Sequence, residues 1–272
     1  MSKASRVSFV IATVTAFACT PFGASDVDAG AGVDPDGGAD SGASVDRRPP
    51  VPPGRWCANV ARGAHCFDFD DPADGFDGGV LTFHEDNGGA LRIDDGAASS
   101  EPNALLVQLP ARRDAGAPKP RAMIRLAIEP PFAGLTLAFD MWLEQIGSSD
   151  ASCSGSCAGA LAGVSRGSFN TQLYSEKGSA LLQHYDSAAG KVVVNQPLAQ
   201  RLEIGRWLRV ELNVDFATSS ASISVDGATR SIDGLPAFDQ AASALVTVGI
   251  AQVNSSVESW RVRYDNVVIT QR

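Results

Sequence analysis

The sequence predicts an all-β fold, a two-sheet antiparallel β-sandwich of the jelly-roll kind. Short segments alternate apolar and polar residues with a period of two, and Gly, Pro, Asp and Ser turns separate them. Beyond the N-terminal leader no segment carries a helical apolar stripe.

The clearest strand is Leu208, Val210, Leu212, Val214 and Phe216, interleaved with Arg209, Glu211, Asn213 and Asp215. Ala221, Ile223 and Val225 continue the pattern, and Asp226-Gly227 supplies a hairpin turn that tolerates positive φ. Leu137, Phe139, Met141 and Leu143 form another core stripe. So do Leu105, Val107 and Leu109, and Ile124, Leu126 and Ile128.

Three regions divide the chain: a leader over residues 1–18, a linker over 19–54 and a β-sandwich domain over 55–272. The leader has Lys3 and Arg6 ahead of an apolar run from Val7 to Ala18, which is the pattern of a cleaved secretory signal peptide. The run is too short to span a bilayer, which takes about 20 apolar residues. Ala16-Phe17-Ala18-Cys19 resembles a bacterial lipobox, with Ala16 where that motif prefers an aliphatic residue; the resemblance implies lipidation of Cys19. An ordinary A-x-A cleavage site that leaves Cys19 unmodified is the alternative.

The resemblance makes the chain an outer-membrane or cell-surface lipoprotein, touching the membrane only through its anchor. Thr20, which is not Asp, favours the outer membrane by resemblance to Gram-negative sorting signals. Periplasmic or secreted location is the alternative. From Gly23 to Pro53 the chain is Ala, Gly, Asp, Ser, Val and Pro almost throughout, too poor in large apolar residues to offset ordering entropy, so it reads as a solvated acidic tether.

The formal net charge is -9, much of it in the tether, and no basic stripe is present, which sets nucleic acid aside as a partner. Of five cysteines, assigning Cys19 to lipid leaves four. In an oxidising compartment the short separations favour Cys57 with Cys66 and Cys153 with Cys157.

Gly205-Arg206-Trp207-Leu208-Arg209-Val210-Glu211-Leu212-Asn213-Val214-Asp215, followed by the Val225-Asp226-Gly227 turn, resembles paired strands of the concanavalin A-like lectin/glucanase superfamily, laminin G-like domains included. Cys66-Phe67-Asp68-Phe69-Asp70-Asp71, Glu101-Pro102-Asn103-Ala104-Leu105-Leu106-Val107 and Tyr264-Asp265-Asn266-Val267-Val268-Ile269 extend it across the domain. The resemblance implies a jelly roll whose concave face holds a glycan. It implies function weakly, because the fold carries lectins, glycosidases, lyases and adhesion modules. The paired-carboxylate E-x-D-x-x-E strand of the superfamily's glucanases is absent, which inclines the reading to a non-catalytic module binding a carbohydrate or a surface protein. A polysaccharide hydrolase or lyase and a structural envelope protein are the alternatives.

Two polar faces offer carbohydrate-binding chemistry. Asp140, Trp142 and Glu144 project opposite the Leu137–Leu143 stripe, and Asn170, Gln172, Tyr174 and Glu176 opposite Phe169, Thr171 and Leu173. If both strands lie in one sheet, these residues share a cleft, and Glu144 with Glu176 is the candidate catalytic acid/base pair of the enzyme alternative. Calcium is the candidate cofactor, since relatives hold a structural ion between first and last strands. Asp68, Asp70 and Asp265 are its candidate ligands, hard oxygens suited to that ion. His65, His84 and His184 fall in no metal-ligand or catalytic spacing and read as structural or exposed.

Overall fold

The computed structural model describes residues 56–70, 80–111, 118–146, 158–253 and 259–272. Among these described residues a 3₁₀ turn, Trp56–Asn59, precedes fifteen strands. In chain order they are β1 (His65–Phe67), β2 (Thr82–Asp86), β3 (Ala90–Asp94), β4 (Ala104–Leu109), β5 (Arg121–Ile128), β6 (Gly134–Ile146), β7 (Ala158–Arg166) and β8 (Phe169–Glu176). Then follow β9 (Ser179–Asp186), β10 (Lys191–Arg201), β11 (Trp207–Asp215), β12 (Ser220–Val225), β13 (Ala228–Ile232), β14 (Ala244–Val253) and β15 (Trp260–Gln271).

They form two antiparallel sheets, as the alternation predicts. The first runs β13-β12-β11-β6-β15-β4-β3, with β1 also paired to β15; the second runs β10-β9-β8-β7-β14-β5-β2. Among the described residues no helix is long and apolar enough to cross a membrane.

Each strand gives alternate side chains to one core. Leu137, Phe139, Met141 and Leu143 of β6, Leu208 to Val214 of β11, and Val262 and Tyr264 of β15 meet Leu161 and Val164 of β7, Leu173 of β8, Leu182 of β9 and Val246 and Val248 of β14. The β12–β13 turn is the expected one: Asp226 and Gly227 have φ of 47° and 84°, the paired positive values of a tight hairpin. Tyr264 ties the sheets together. Its hydroxyl donates to the Leu161 carbonyl at 2.9 Å, and Leu161 is passed over in the pairing of β7 with β8 and with β14, which leaves that oxygen available.

Polar groups inside the sandwich are matched in the same way. Arg166, almost fully buried, lies over the rings of Phe132 and Phe216 at 4.4 and 4.7 Å and donates to the carbonyls of Ala242 and Gln240. His184 is also buried. It stacks on Phe169 and meets the Thr171 hydroxyl through Nδ1 at 2.9 Å, and burial holds its imidazole below the usual range.

The Cys57–Cys66 disulfide is present and pins the 3₁₀ turn to β1. Cys153 and Cys157 lie outside the described residues, as do Cys19, the leader and the tether.

Candidate functional site

The topology corrects one expectation. β6 belongs to the first sheet and β8 to the second, so Asp140, Trp142 and Glu144 face away from Asn170, Gln172, Tyr174 and Glu176 on opposite sides of the sandwich. They do not share a cleft, and Glu144 and Glu176 do not face one another as an acid/base pair. Alternation places a residue on the core or outer side of its strand, but long-range pairing decides which sheet the strand joins.

On the outer face of the first sheet the polar residues largely satisfy one another. Glu144 is ion-paired with Arg261, whose Nε lies 2.8 Å away, and accepts a hydrogen bond from Arg263, which binds Asp94 as well. Trp142 packs edge-on to Trp207 with centroids 5.6 Å apart. Asp140 is buried and accepts from Ser99 Oγ at 2.7 Å, Asn266 Nδ2 at 2.8 Å and Arg209 Nη1 at 3.3 Å. Arg209 reaches over the Trp56 ring at 5.5 Å.

Asp265 is fully buried. It accepts the Ser99 and Ser100 backbone N–H groups at 2.7 Å each and that of Asn266 at 2.7 Å. Burial outweighs these donors, and with Asp140 nearby pushes its carboxyl up to about 7. The other two candidate calcium ligands serve the backbone elsewhere: Asp68 accepts from Cys57 N at 3.1 Å, and Asp70 from Asn103 N at 3.0 Å. Among the described residues no group of three or more His, Cys, Asp or Glu side chains is placed to hold a metal ion.

The outer face of the second sheet is built differently. Register aligns Thr82, Arg125, Thr247, Gly163, Gln172 and Gln183 in one row across β2, β5, β14, β7, β8 and β9. Thr247, Gly249 and Ala251 on β14, with Ala158, Ala160 and Gly163 on β7, put small side chains on the two middle strands. Larger ones rise on either side. Arg125 and His84 form one wall, and Asn170, Gln172, Tyr174, Gln183 and Tyr185 the other, so side-chain size alone makes a groove.

Three strand spacings separate Arg125 from Gln172, roughly 14 Å between backbones. The absence of a side chain at Gly163 lets the amide wall pack closely over β7. A Cβ there would sit 2.9 Å from Asn170 Oδ1 and 3.0 Å from Gln172 Cβ.

The amide wall is ordered by its own hydrogen bonds. Asn170 Nδ2 donates to Gln172 Oε1 at 2.6 Å, and Gln172 Nε2 donates to Gln183 Oε1 at 2.7 Å. The relay leaves the Gln183 amide nitrogen as a donor at its end. Tyr174 lies over an apolar patch of Ala158, Ala160, Leu181 and Ala251.

On the opposite wall, among the described residues, the Arg125 guanidinium has a buried Nε with no hydrogen-bond partner and no carboxylate paired with it. Burial and the neighbouring Arg121 both lower its proton affinity, while Asp86 opposes them. Of this groove, sequence reasoning found Asn170, Gln172 and Tyr174. It missed Arg125, His84 and Gln183, because no local spacing links β2 and β5 to β8 and β9.

No family model matches the sequence, and no curated protein matches it. Solved structures do. The endo-β-1,4-glucuronan lyase of the fungus Trichoderma reesei superposes with a TM-score of 0.55 at 14% identity, over 73% of this chain and 93% of that chain. Alginate lyase A1-II', a member of polysaccharide lyase family 7, gives 0.48 at 15% identity, over 64% and 82%. The marine alginate lyase AlyA1 from Zobellia galactanivorans gives 0.47 at 13% identity, over 66% and 82%.

The fold is therefore the concanavalin A-like jelly roll, as the sequence resemblance implied. The neighbours named above are polysaccharide lyases, and at these identities the likeness is one of fold.

Proposed function

We propose that this chain is an exported module that binds an acidic polysaccharide in the groove on the outer face of its second sheet. The observation that carries the reading is Arg125: a guanidinium with a buried, unpartnered Nε, placed across a floor of small residues from an ordered row of amides. Leaving such a donor unsatisfied costs about 1–3 kcal/mol, so the side chain is held for more than packing, and as a half-exposed cation it would meet a carboxylate in the groove through a charge-assisted bond. The amides of Asn170, Gln172 and Gln183 supply donors and acceptors suited to sugar hydroxyls, and Tyr174 and Tyr185 a ring edge or face beside them. The glucuronan lyase that shares the fold acts on a polymer of acidic sugars, which agrees with this ligand class.

The export signal over residues 1–18, the lipidated Cys19 and the tether belong to the same reading. They set the groove on the outer membrane or cell surface, where a polysaccharide can reach it.

One placement favours a second reading, cleavage of the bound chain by β-elimination. Tyr174 stands two residues from Gln172 on the same outer face, so a phenol that can move a proton lies on the amide wall, across the groove from the Arg125 that would neutralise a sugar carboxylate. Neutralising that carboxylate acidifies the adjacent C–H, which is the demanding step of such a reaction.

The test is binding of the protein to oligoglucuronate and oligoalginate, followed by calorimetry, with ultraviolet absorbance recording any unsaturated product. Binding that falls at least tenfold in Arg125→Ala supports the groove, and product lost in Tyr174→Phe adds the second reading. Unchanged binding by Arg125→Ala would overturn the assignment.

A further inference from the structure

Arg125 shares its wall with a titratable neighbour. His84, on the edge strand β2, lies diagonal to it, with Nε2 3.4 Å from Arg125 Nη1. A guanidinium has only donors, so in this contact Nε2 is an unprotonated acceptor. The imidazole therefore holds one edge of the guanidinium while Nε stays unpartnered.

The charged groups around His84 are few. On its own strand Asp86 shares the outer face and pairs in register with Arg121, while Glu85 points the other way and accepts from Leu91 N. On β5 the facing charges are Arg121 and Arg125, and the next strand inward, β14, brings Thr247 and Gly249, which carry none. Burial and then Arg125 hold the imidazole below its usual range, against a weaker opposing effect of Asp86. That direction favours the neutral imidazole, in keeping with Nε2 as an acceptor.

A carboxylate placed between the two side chains reverses that balance. It neutralises Arg125, removes that part of the effect on the imidazole which Arg125 adds to burial, and offers an oxygen to each donor.

We propose that His84 and Arg125 form a two-donor clamp for the carboxylate of an acidic sugar unit, in which His84 positions Arg125 when neutral and becomes a second cationic donor when protonated. The inference rests on the groove being the glycan site. By linkage, if the ligand raises the His84 pKa, binding takes up a proton and the affinity rises as the pH falls. The rise continues until the sugar carboxylates themselves protonate.

The experiment measures oligoglucuronate affinity by calorimetry on the full-length protein at about pH 5.5 and about pH 8, in buffers of different ionisation enthalpy. The expected result is affinity about tenfold tighter at the lower pH, the equivalent of one pKa unit, with proton uptake on binding. His84→Gln, which keeps an acceptor beside Arg125, should lose both the pH dependence and the proton uptake. NMR titration of the His84 imidazole in the unmodified protein, with and without ligand, reads the same effect without a substitution.

Binding with no proton uptake, no shift of that imidazole and the same pH profile in His84→Gln would overturn the clamp while leaving the groove intact. Absence of oligoglucuronate binding at both pH values, or binding unaffected by Arg125→Ala, would overturn the groove reading and the clamp with it.

Discussion

Replacing Tyr264 with Phe removes one oxygen from the centre of the sandwich and nothing else. Tyr264 and Leu161 are both fully buried, and the phenol donates to the Leu161 carbonyl at 2.9 Å. The remaining ring keeps its place 5.7 Å from Phe139, so no cavity larger than the lost hydroxyl opens. The cost is therefore that of a buried carbonyl deprived of its donor, about 2 kcal/mol within the usual range of 1–3.

For a domain of this size a loss of that magnitude lowers the thermal midpoint by about 4–8 °C. Urea unfolding followed by tryptophan fluorescence should show the midpoint fall with the slope unchanged, because the surface exposed on unfolding is the same. A change below about 0.5 kcal/mol would refute the reasoning, since it would mean that the Leu161 carbonyl finds another donor without penalty.

Two further perturbations follow from the first sheet. Asp265 is pushed up to about 7 from an ordinary 3.8, so the folded state holds its proton more tightly than the unfolded chain. Its contribution to stability is full below pH 3.8 and is lost as the pH rises to about 7; roughly three pKa units set an upper bound of about 4 kcal/mol. Denaturation midpoints across that window should therefore decline more steeply in the parent than in Asp265→Asn, and parallel profiles would contradict the assignment. Cleaving the Cys57–Cys66 bond, which closes a loop of sequence separation 9, should cost about 2–3 kcal/mol. It should also free Trp56 from Arg209, visible as a change in tryptophan emission at mild reductant; an unaltered spectrum and midpoint would deny the turn this role.

The sequence by itself determined what depends on neighbours in the chain. Alternation in Leu208–Phe216 and Leu137–Leu143 assigned those stripes to the core, because successive strand side chains face opposite ways whatever the partner strand is. Asp226-Gly227 marked a hairpin for an equally local reason, the positive φ that both positions need. A separation of nine residues favoured Cys57 with Cys66, and the two are bonded.

Sheet membership was another matter. Nothing within β6 or β8 says that one pairs with β11 and β15 and the other with β7 and β9, and on that difference the expected cleft of Trp142 with Tyr174 came apart. The groove that replaced it joins Arg125 and His84 to Gln172 and Gln183 through a register running across six strands. Hydrogen bonding between strands distant in sequence sets that register, and so only the tertiary structure could bring these side chains to one face.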